Sequence, residues 1–358
     1  MEDLLKGLTI TKTKTPREKP DPATLGFGEV FTDHMFIMDY DEGLGWHDPR
    51  IIPYGPLALD PAAAVLHYAQ EMFEGLKTYK TGSGELRLFR PDKNAKRANI
   101  TNDRICLPPI DEKLFVDAIK AIVEVDRDWA PDYPGTSLYI RPYIFATEPF
   151  LGVRPSKSYY FIIILSPVGA YYKGGLQPTK IYVEDRYVRS ADGMTGSAKV
   201  GGNYALSLKS QVEAQAKGYT QVLWLDSRDR RYVEEIGTSN AFFVIGGEVY
   251  TAPLSGTILA GVTRDSVIQI LKDRGVPVRE ERYTIDDVYD AADRGELDEA
   301  FASGTAAVIS PVGEMLWKDR HIVINNGEIG PLAQSLYDTI MGIQNGTLQD
   351  PYDWIVKL

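Results

Sequence analysis

The chain has 358 residues, 44% hydrophobic and 25% charged, which is ordinary for a globular protein and enough for about two domains. A formal net charge of −11 argues against nucleic acid or an anionic membrane as the main partner, although a local basic pocket can still hold a small anion. The single cysteine, Cys106, excludes an intramolecular disulfide and a cysteine-based zinc site, and fits a reducing, cytoplasmic compartment.

The first stretch, "MEDLLKGLTITKTKTPREKPDP", is polar and lacks a secretory apolar core, and "TKTKTPREKPDPAT" reads as a proline-broken arm. "DPAAAVLHYAQEMFEGLK" carries a helix start, with Asp60 as cap and Pro61 in the first turn; "RPDKNAKRANITNDRICLPP" repeats the device at Pro91. "DEKLFVDAIKAIVEVDRDWAP" has helical apolar spacing and stops before Pro131. Strands are expected in "SLYIRPYIFATE" and "SYYFIIILSPV", and the second is too short and interrupted to cross a bilayer. Glycine-rich "GAYYKGGLQPTK" reads as a linker, residues 168–179, between a domain at 1–167 and one at 180–358.

The second half opens on alternating "KIYVEDRYVRS". "TGSAKVGGNYALSLKSQVEAQAKG" then places Lys199 in a loop of small residues ahead of a helix over 203–217, ended by Gly218. "TQVLWLDSRDRRYVEEIGTSNAFFVIGGEVYTAP" reads as short strands with turns at Asp226–Asp229 and Gly246–Gly247. Further helices are expected in "GVTRDSVIQILKDRG" and "GPLAQSLYDTIMGIQNG". Helices and strands intermingle without strict alternation, so the fold class is α+β or mixed α/β rather than a doubly wound sheet.

Several chemistries lack their residues. No G-x-x-x-x-G-K-[ST] occurs, "GSGELR" lacks the third glycine of a dinucleotide fingerprint, and no G-x-S-x-G elbow is present. His34, His47, His67 and His321 are scattered and never paired at i, i+4, so no zinc-hydrolase motif exists and no metal is expected.

What remains is a set of turns beside charged residues, each open to two readings. Lys199 is a reactive amine or an ordinary loop lysine. Gly261, Val262 and Thr263 form a phosphate cradle or simply a helix start capped by Thr263. The Ser303–Gly304–Thr305 turn offers backbone donors to a ligand or is a plain strand end. Arg97, with Lys93 and Lys96, belongs to a solvated helix face or forks onto a phosphate. Glu234 and Glu235 project to opposite faces if their run is extended, so one can meet a site while the other meets solvent. An amine, a carboxylate and phosphate donors are together what a pyridoxal-phosphate enzyme needs.

The stretches "SAKVGGNYALSL", "EEIGTSNAFFV", "LAGVTRDSV", "FASGTAAVISPV" and "MFEGLKTYK" resemble the branched-chain amino acid aminotransferases, fold type IV pyridoxal-phosphate enzymes. The likeness runs from "FTDHMF" to "IGPLAQSLYDTI". It implies two domains, a smaller N-terminal α/β domain and a larger cofactor-binding C-terminal domain with a β-barrel-like core. It implies pyridoxal 5'-phosphate as cofactor, and reversible transfer of the amino group of L-leucine, L-isoleucine or L-valine to 2-oxoglutarate. Lys199 is then the lysine that bonds the cofactor and shuttles the proton, with its pKa depressed, and Glu235 pairs with the pyridinium nitrogen. Arg97, the Val262 and Thr263 amides and Thr305 hold the phosphate, and Tyr204 supports the ring. Tyr139 and the Thr305–Ala306 backbone hold the α-carboxylate, Phe73 and Thr238 shape the side-chain pocket, and Arg141 meets glutamate's distal carboxylate. The family's homodimer brings Tyr68, Leu151 and Val153 from the neighbouring subunit; the competing reading buries them in their own chain. Two departures stand out: Ala307 and Ser310 occupy the places of a Cys-x-x-Cys found in some relatives, and Ala260 stands where proline is common.

Overall fold

Long apolar alternations make strands the principal elements, and the computed structural model describes them within residues 5–170 and 175–358. The first half runs β1 (Thr9–Ile10), β2 (His34–Asp41), β3 (Gly45–Pro53), α1 (Ala64–Tyr68), β4 (Glu71–Phe73), β5 (Leu76–Lys80) and β6 (Leu86–Phe89). Helices α2 (Pro91–Arg104) and α3 (Glu112–Val125) precede β7 (Ser137–Ala146) and β8 (Ser158–Val168). Then come β9 (Thr179–Glu184), α4 (Gly201–Ala216), β10 (Gln221–Leu225), β11 (Val233–Ile236), β12 (Ser239–Ile245) and β13 (Glu248–Thr251). The remainder is α5 (Val262–Asp273), β14 (Val278–Glu280), α6 (Ile285–Asp293), β15 (Leu297–Gly304), β16 (Val308–Trp317), β17 (Arg320–Val323), α7 (Pro331–Asn345) and β18 (Ile355–Lys357).

The chain divides into two units. The first comprises Met1–Tyr171, Lys199–Gly201 and Gly342–Leu358, and the second Tyr172–Ala198 and Gly202–Met341. The C-terminal segment joins the first unit because β18 pairs antiparallel with β6, a partnership that sequence spacing does not announce. Residues 171–174 of the expected linker lie outside the described residues.

In the first unit one sheet has the order β1-β3-β2-β8-β7-β5-β6-β18, with β4 also on β7. Strand β7 shows why it forms: Leu138, Ile140 and Ile144 are fully buried, while the alternate Tyr139, Arg141 and Tyr143 are only partly so. The apolar face packs on α3, where Phe115 stacks on Phe161 with ring centroids 5.4 Å apart. Asp111 caps α3 by accepting from the Leu114 N–H at 2.8 Å. The opposite face carries Tyr139, Arg141 and Tyr143, joined by their cross-strand partners, Lys77 opposite Tyr139 and Phe73 opposite Tyr143.

The helix expected to start at Asp60 is mostly not one. Asp60 closes a local turn by accepting from the Ala62 N–H at 2.8 Å, and α1 is a five-residue turn ended by Ala69 in the left-handed region. The rest of that stretch pairs with β7 as β4 and β5, so sheet partnership overrides the local helix cue.

The second unit is built on a ring of six strands, β11-β10-β9-β16-β15-β12, closed by pairing of β11 with β12. This is a closed barrel, and β13, β14 and β17 extend it. Ile181, Val183, Leu223, Phe243 and Met315 share its core with Ile285, Val288 and Tyr289 of α6. Helix α6 starts with a reciprocal capping box between Thr284 and Asp287. Among the described residues, no helix is long and apolar enough to cross a membrane.

Candidate active site

In the first unit, α2 turns Asn94, Arg97 and Thr101 inward at i, i+3 and i+7, the spacing of one helical face. All three are buried while Lys93 and Lys96 are exposed, so Arg97 does not belong to the solvated face. Its partner is the buried Glu74, between β4 and β5. Arg97 Nε donates to Oε1 at 2.8 Å, Nη2 donates to Oε2 at 2.8 Å, and Asn94 Nδ2 donates to Oε2 at 2.8 Å. Burial alone would raise the Glu74 carboxyl, but Arg97's charge and hydrogen bonds outweigh it and hold the group below the usual range.

Lys199 is strapped beside this pair by its backbone. Its N–H donates to Thr101 Oγ1 at 2.9 Å, its carbonyl accepts from the Phe73 N–H at 3.1 Å, and the Gly201 N–H donates to the Glu71 carboxylate. Burial raises the pKa of that Glu71 carboxyl. The Lys199 amine sits 4.4 Å from the centre of the Phe73 ring. Desolvation draws it down to about 8; Arg97 pushes it the same way, and Glu74 and Tyr139 pull back. Nearby, Arg141 Nη2 donates to Tyr139 Oη at 3.1 Å, and the guanidinium lies 4.8 Å from the Phe73 ring centre. Gly75 is required here, because a Cβ would collide with the Tyr139 hydroxyl.

Five of the residues singled out from sequence, Lys199, Arg97, Phe73, Tyr139 and Arg141, thus form one cluster in this unit. Sequence reasoning passed over Glu74, Asn94 and Thr101, and also the buried Lys77, whose amine desolvation draws down to about 8. The inward spacing of three polar residues on a helix, and a glutamate inside strand-like "MFEGLK", were the signals available. Tyr68, Leu151 and Val153 lie elsewhere on the unit, 44%, 73% and 86% exposed, and Tyr68 Oη donates to the Leu151 carbonyl at 2.6 Å. They are not core residues of their own chain.

In the second unit Glu235 sits on β11 at a β-bulge. Leu223 pairs with Ile236 and Leu225 with Val233, so Glu234 and Glu235 together oppose Trp224. Simple alternation therefore does not apply, and both carboxylates are buried rather than one facing solvent. Glu235 Oε1 accepts from Asn240 Nδ2 at 3.1 Å and from the Leu259 N–H at 3.2 Å, while Arg189 Nε lies 2.7 Å from Oε2. Arg189 and Asn240 are functional candidates that no motif suggested. Burial pushes Glu234 up to about 7; a hydrogen bond from Thr257 opposes this, and the Glu235 and Asp226 charges add to it.

Helix α5 begins two residues earlier than expected: its cap is Gly261, not Thr263, and no side chain caps the helix start. Val262 and Thr263 are buried in the first turn, where N–H groups and the helix dipole favour an anion. Thr305 and Ala306 form the partly buried turn between β15 and β16. Thr238 is exposed in the β11–β12 turn, and Tyr204 is half-buried in the first turn of α4. Taken separately, a desolvated amine, a clamped carboxylate and a glycine-capped helix start are each groups of the kind pyridoxal-phosphate chemistry uses.

Comparison with known proteins agrees. The family model described as "Amino-transferase class IV" matches residues 71–315, so the chain belongs to the class IV aminotransferases. "Branched-chain-amino-acid transaminase 1" of Bacillus subtilis (strain 168) is 54% identical over 97% of this chain and 98% of its own length. The crystal structure of the Escherichia coli branched-chain amino acid aminotransferase covers 89% of this chain and 98% of its own, at 26% identity and a TM-score of 0.75. The branched-chain aminotransferase of the thermophilic archaeon Thermoproteus uzoniensis, solved with norvaline, covers 90% and 99% at 28% identity and a TM-score of 0.75. Another branched-chain amino acid aminotransferase of this fold, from T.th., was solved with pyridoxamine 5'-phosphate; it is 29% identical, with a TM-score of 0.73 over 89% of this chain and 97% of its own. Within its class, the chain is a member of the branched-chain-amino-acid aminotransferase family.

Glu234 generates a stability prediction. Its carboxyl is raised from 4.5 to about 7 on folding, so the native chain holds a proton that the unfolded chain has released. That contribution is lost as pH rises from about 4.5 through about 7, on the order of 3 kcal/mol. The Glu234→Gln variant should therefore gain on the wild type as pH rises, its advantage in denaturant melts being larger at pH 8 than at pH 5. An offset independent of pH would contradict the assignment.

Proposed function

We propose that this chain catalyses reversible amino transfer between L-leucine, L-isoleucine or L-valine and 2-oxoglutarate, with pyridoxal 5'-phosphate as cofactor. The observation that carries the reading is the desolvated Lys199 amine, at about 8, beside the Arg97–Glu74 pair. Close relatives bearing the branched-chain aminotransferase name over nearly their whole length support it. When bound, the cofactor supplies an electron sink that acidifies the substrate's α-C–H.

The chain's own groups do the rest. Lys199 would hold the cofactor, and its neutral amine would take the proton from the substrate's α-carbon and pass it to the cofactor's aldehyde-derived carbon; an amine near 8 is neutral often enough at physiological pH, where a solvated lysine is not. Glu235, held by Arg189 and Asn240, accepts the hydrogen bond of the ring nitrogen and keeps that nitrogen protonated. Arg97, the amides of Val262 and Thr263, and Thr305 bind the phosphate, while Tyr204 lies against the ring. Tyr139 and the Thr305–Ala306 backbone take the α-carboxylate. Arg141 meets the distal carboxylate of glutamate, and Phe73 and Thr238 shape the apolar pocket. One pocket can then serve leucine and glutamate alternately. The exposed Tyr68, Leu151 and Val153 are an apolar patch suited to burial against a second copy, which supports a homodimer. A cytoplasmic location accords with the single free cysteine.

The test is a panel of amino donors and 2-oxo acid acceptors assayed with added cofactor. L-Leucine, L-isoleucine and L-valine should react with 2-oxoglutarate while D-alanine does not, and Lys199→Ala should lower turnover by at least about 10³-fold. Preference for D-alanine, or turnover retained by Lys199→Ala, would overturn the reading.

A further inference from the structure

Glu234 has no place in the roles above, yet its position is unusual for a surface-strand glutamate. The bulge in β11 sets it beside Glu235 on the chain, only 7% of it is exposed, and its Oε2 finds no hydrogen-bond partner. It lines a half-open cavity of about 370 Å³, with Asp192, Arg228 and Arg282 also on the wall, so protons from solvent can reach it. Thr257 ties it to the Glu235 clamp. The Thr257 side chain hydrogen-bonds Glu234, and its carbonyl accepts from Arg189 Nη1 at 3.4 Å.

We propose that Glu234 is a positioning residue whose ionisation competes with Glu235 for Arg189, and so sets how strongly Glu235 accepts a hydrogen bond. With Glu234 protonated, the buried guanidinium neutralises Glu235 alone. With Glu234 ionised, the same guanidinium serves two carboxylates, and Glu235 keeps more of its charge for its own partner. The other charged groups facing Glu234 do not change near neutrality. Burial would raise the Asp226 carboxyl, but the N–H groups of Asp229, Arg231, Tyr232 and Arg228 outweigh it and lower the group, and guanidinium groups such as those of Arg189, Arg228 and Arg282 carry a permanent charge. Asp192, on the same cavity wall, is exposed. Glu234 is thus the group here that titrates near neutral pH.

The consequence for turnover rests on the reading that Glu235 faces a protonated ring nitrogen; the coupling itself does not. The experiment therefore has two readouts on the holoenzyme. Carboxyl-¹³C glutamate labelling follows the Glu235 resonance with pH, and kcat with L-leucine and 2-oxoglutarate is measured at pH 6 and pH 8. In the wild type the Glu235 resonance should show a secondary step centred near pH 7. The step should vanish in Glu234→Gln and move to higher pH in Thr257→Ala, where ionised Glu234 loses a hydrogen-bond donor. The pH 8 to pH 6 ratio of kcat should fall roughly 3-fold in Glu234→Gln, half a pKa unit expressed at Glu235's partner. A Glu235 resonance indifferent to Glu234, or an unchanged kcat ratio in Glu234→Gln, would overturn the proposal. Absence of transamination in the wild type would contradict the activity instead, because the resonance reports the coupling without turnover.

Discussion

A lysine amine withdrawn from water beside an arginine is doubly disfavoured as a cation, first by lost hydration and then by like-charge repulsion. Glu74 makes the arrangement tenable. With Arg97 and Glu74 paired and the Lys199 amine neutral, the buried set carries no net charge, and this is the state that folding favours. Removing one partner of such a pair strands a charge and costs about 3–5 kcal/mol. The geometry around it follows from that demand: a helix turns three polar residues inward, the β4–β5 turn carries a buried carboxylate, and three backbone hydrogen bonds hold Lys199 to Gly201 against them.

The second unit obeys the same rule with the signs exchanged. Arg189 and Glu235 form the neutral pair, and Glu234 is the third group whose charge has no full counterweight. In the first unit the surplus group is a base pushed down to about 8, and in the second an acid pushed up to about 7. Each unit thus has one group poised to change its charge near neutral pH, which is what proton-transfer chemistry requires. Close approach and re-aiming serve the same end: Gly75 leaves room for the Tyr139 hydroxyl, and the bulge in β11 keeps two successive carboxylates buried.

The sequence was most legible where side-chain period alone decides structure. Strands β7 and β8 announce themselves by their strand-like apolar runs, helix α2 by its proline start and α3 by its apolar spacing, and the residue types around Lys199 and Glu235 by their company of small residues. It was least legible where a distant partner decides. Asp60 and Pro61 look like a helix start, yet β7 claims the residues that follow; β18 belongs with β6, far away along the chain. The bulge at Glu234–Glu235 exists only relative to β10, so single-strand alternation put one of the two in solvent. Gly261 rather than Thr263 caps α5, since what matters there is room beside Asn240 rather than a side-chain acceptor. Helix α6 carries a capping cue in "TIDD" that sequence reasoning passed over.

The balance of charge at Lys199 is the claim on which the rest stands, and its amine can be titrated directly by NMR in cofactor-free chain labelled with ¹⁵N at the lysine side chain. The account predicts a midpoint near 8, displaced upward when Arg97→Leu removes the neighbouring cation and downward when Glu74→Gln removes the anion. A midpoint near the 10.5 of a solvated lysine, or one that neither substitution moves, would contradict it.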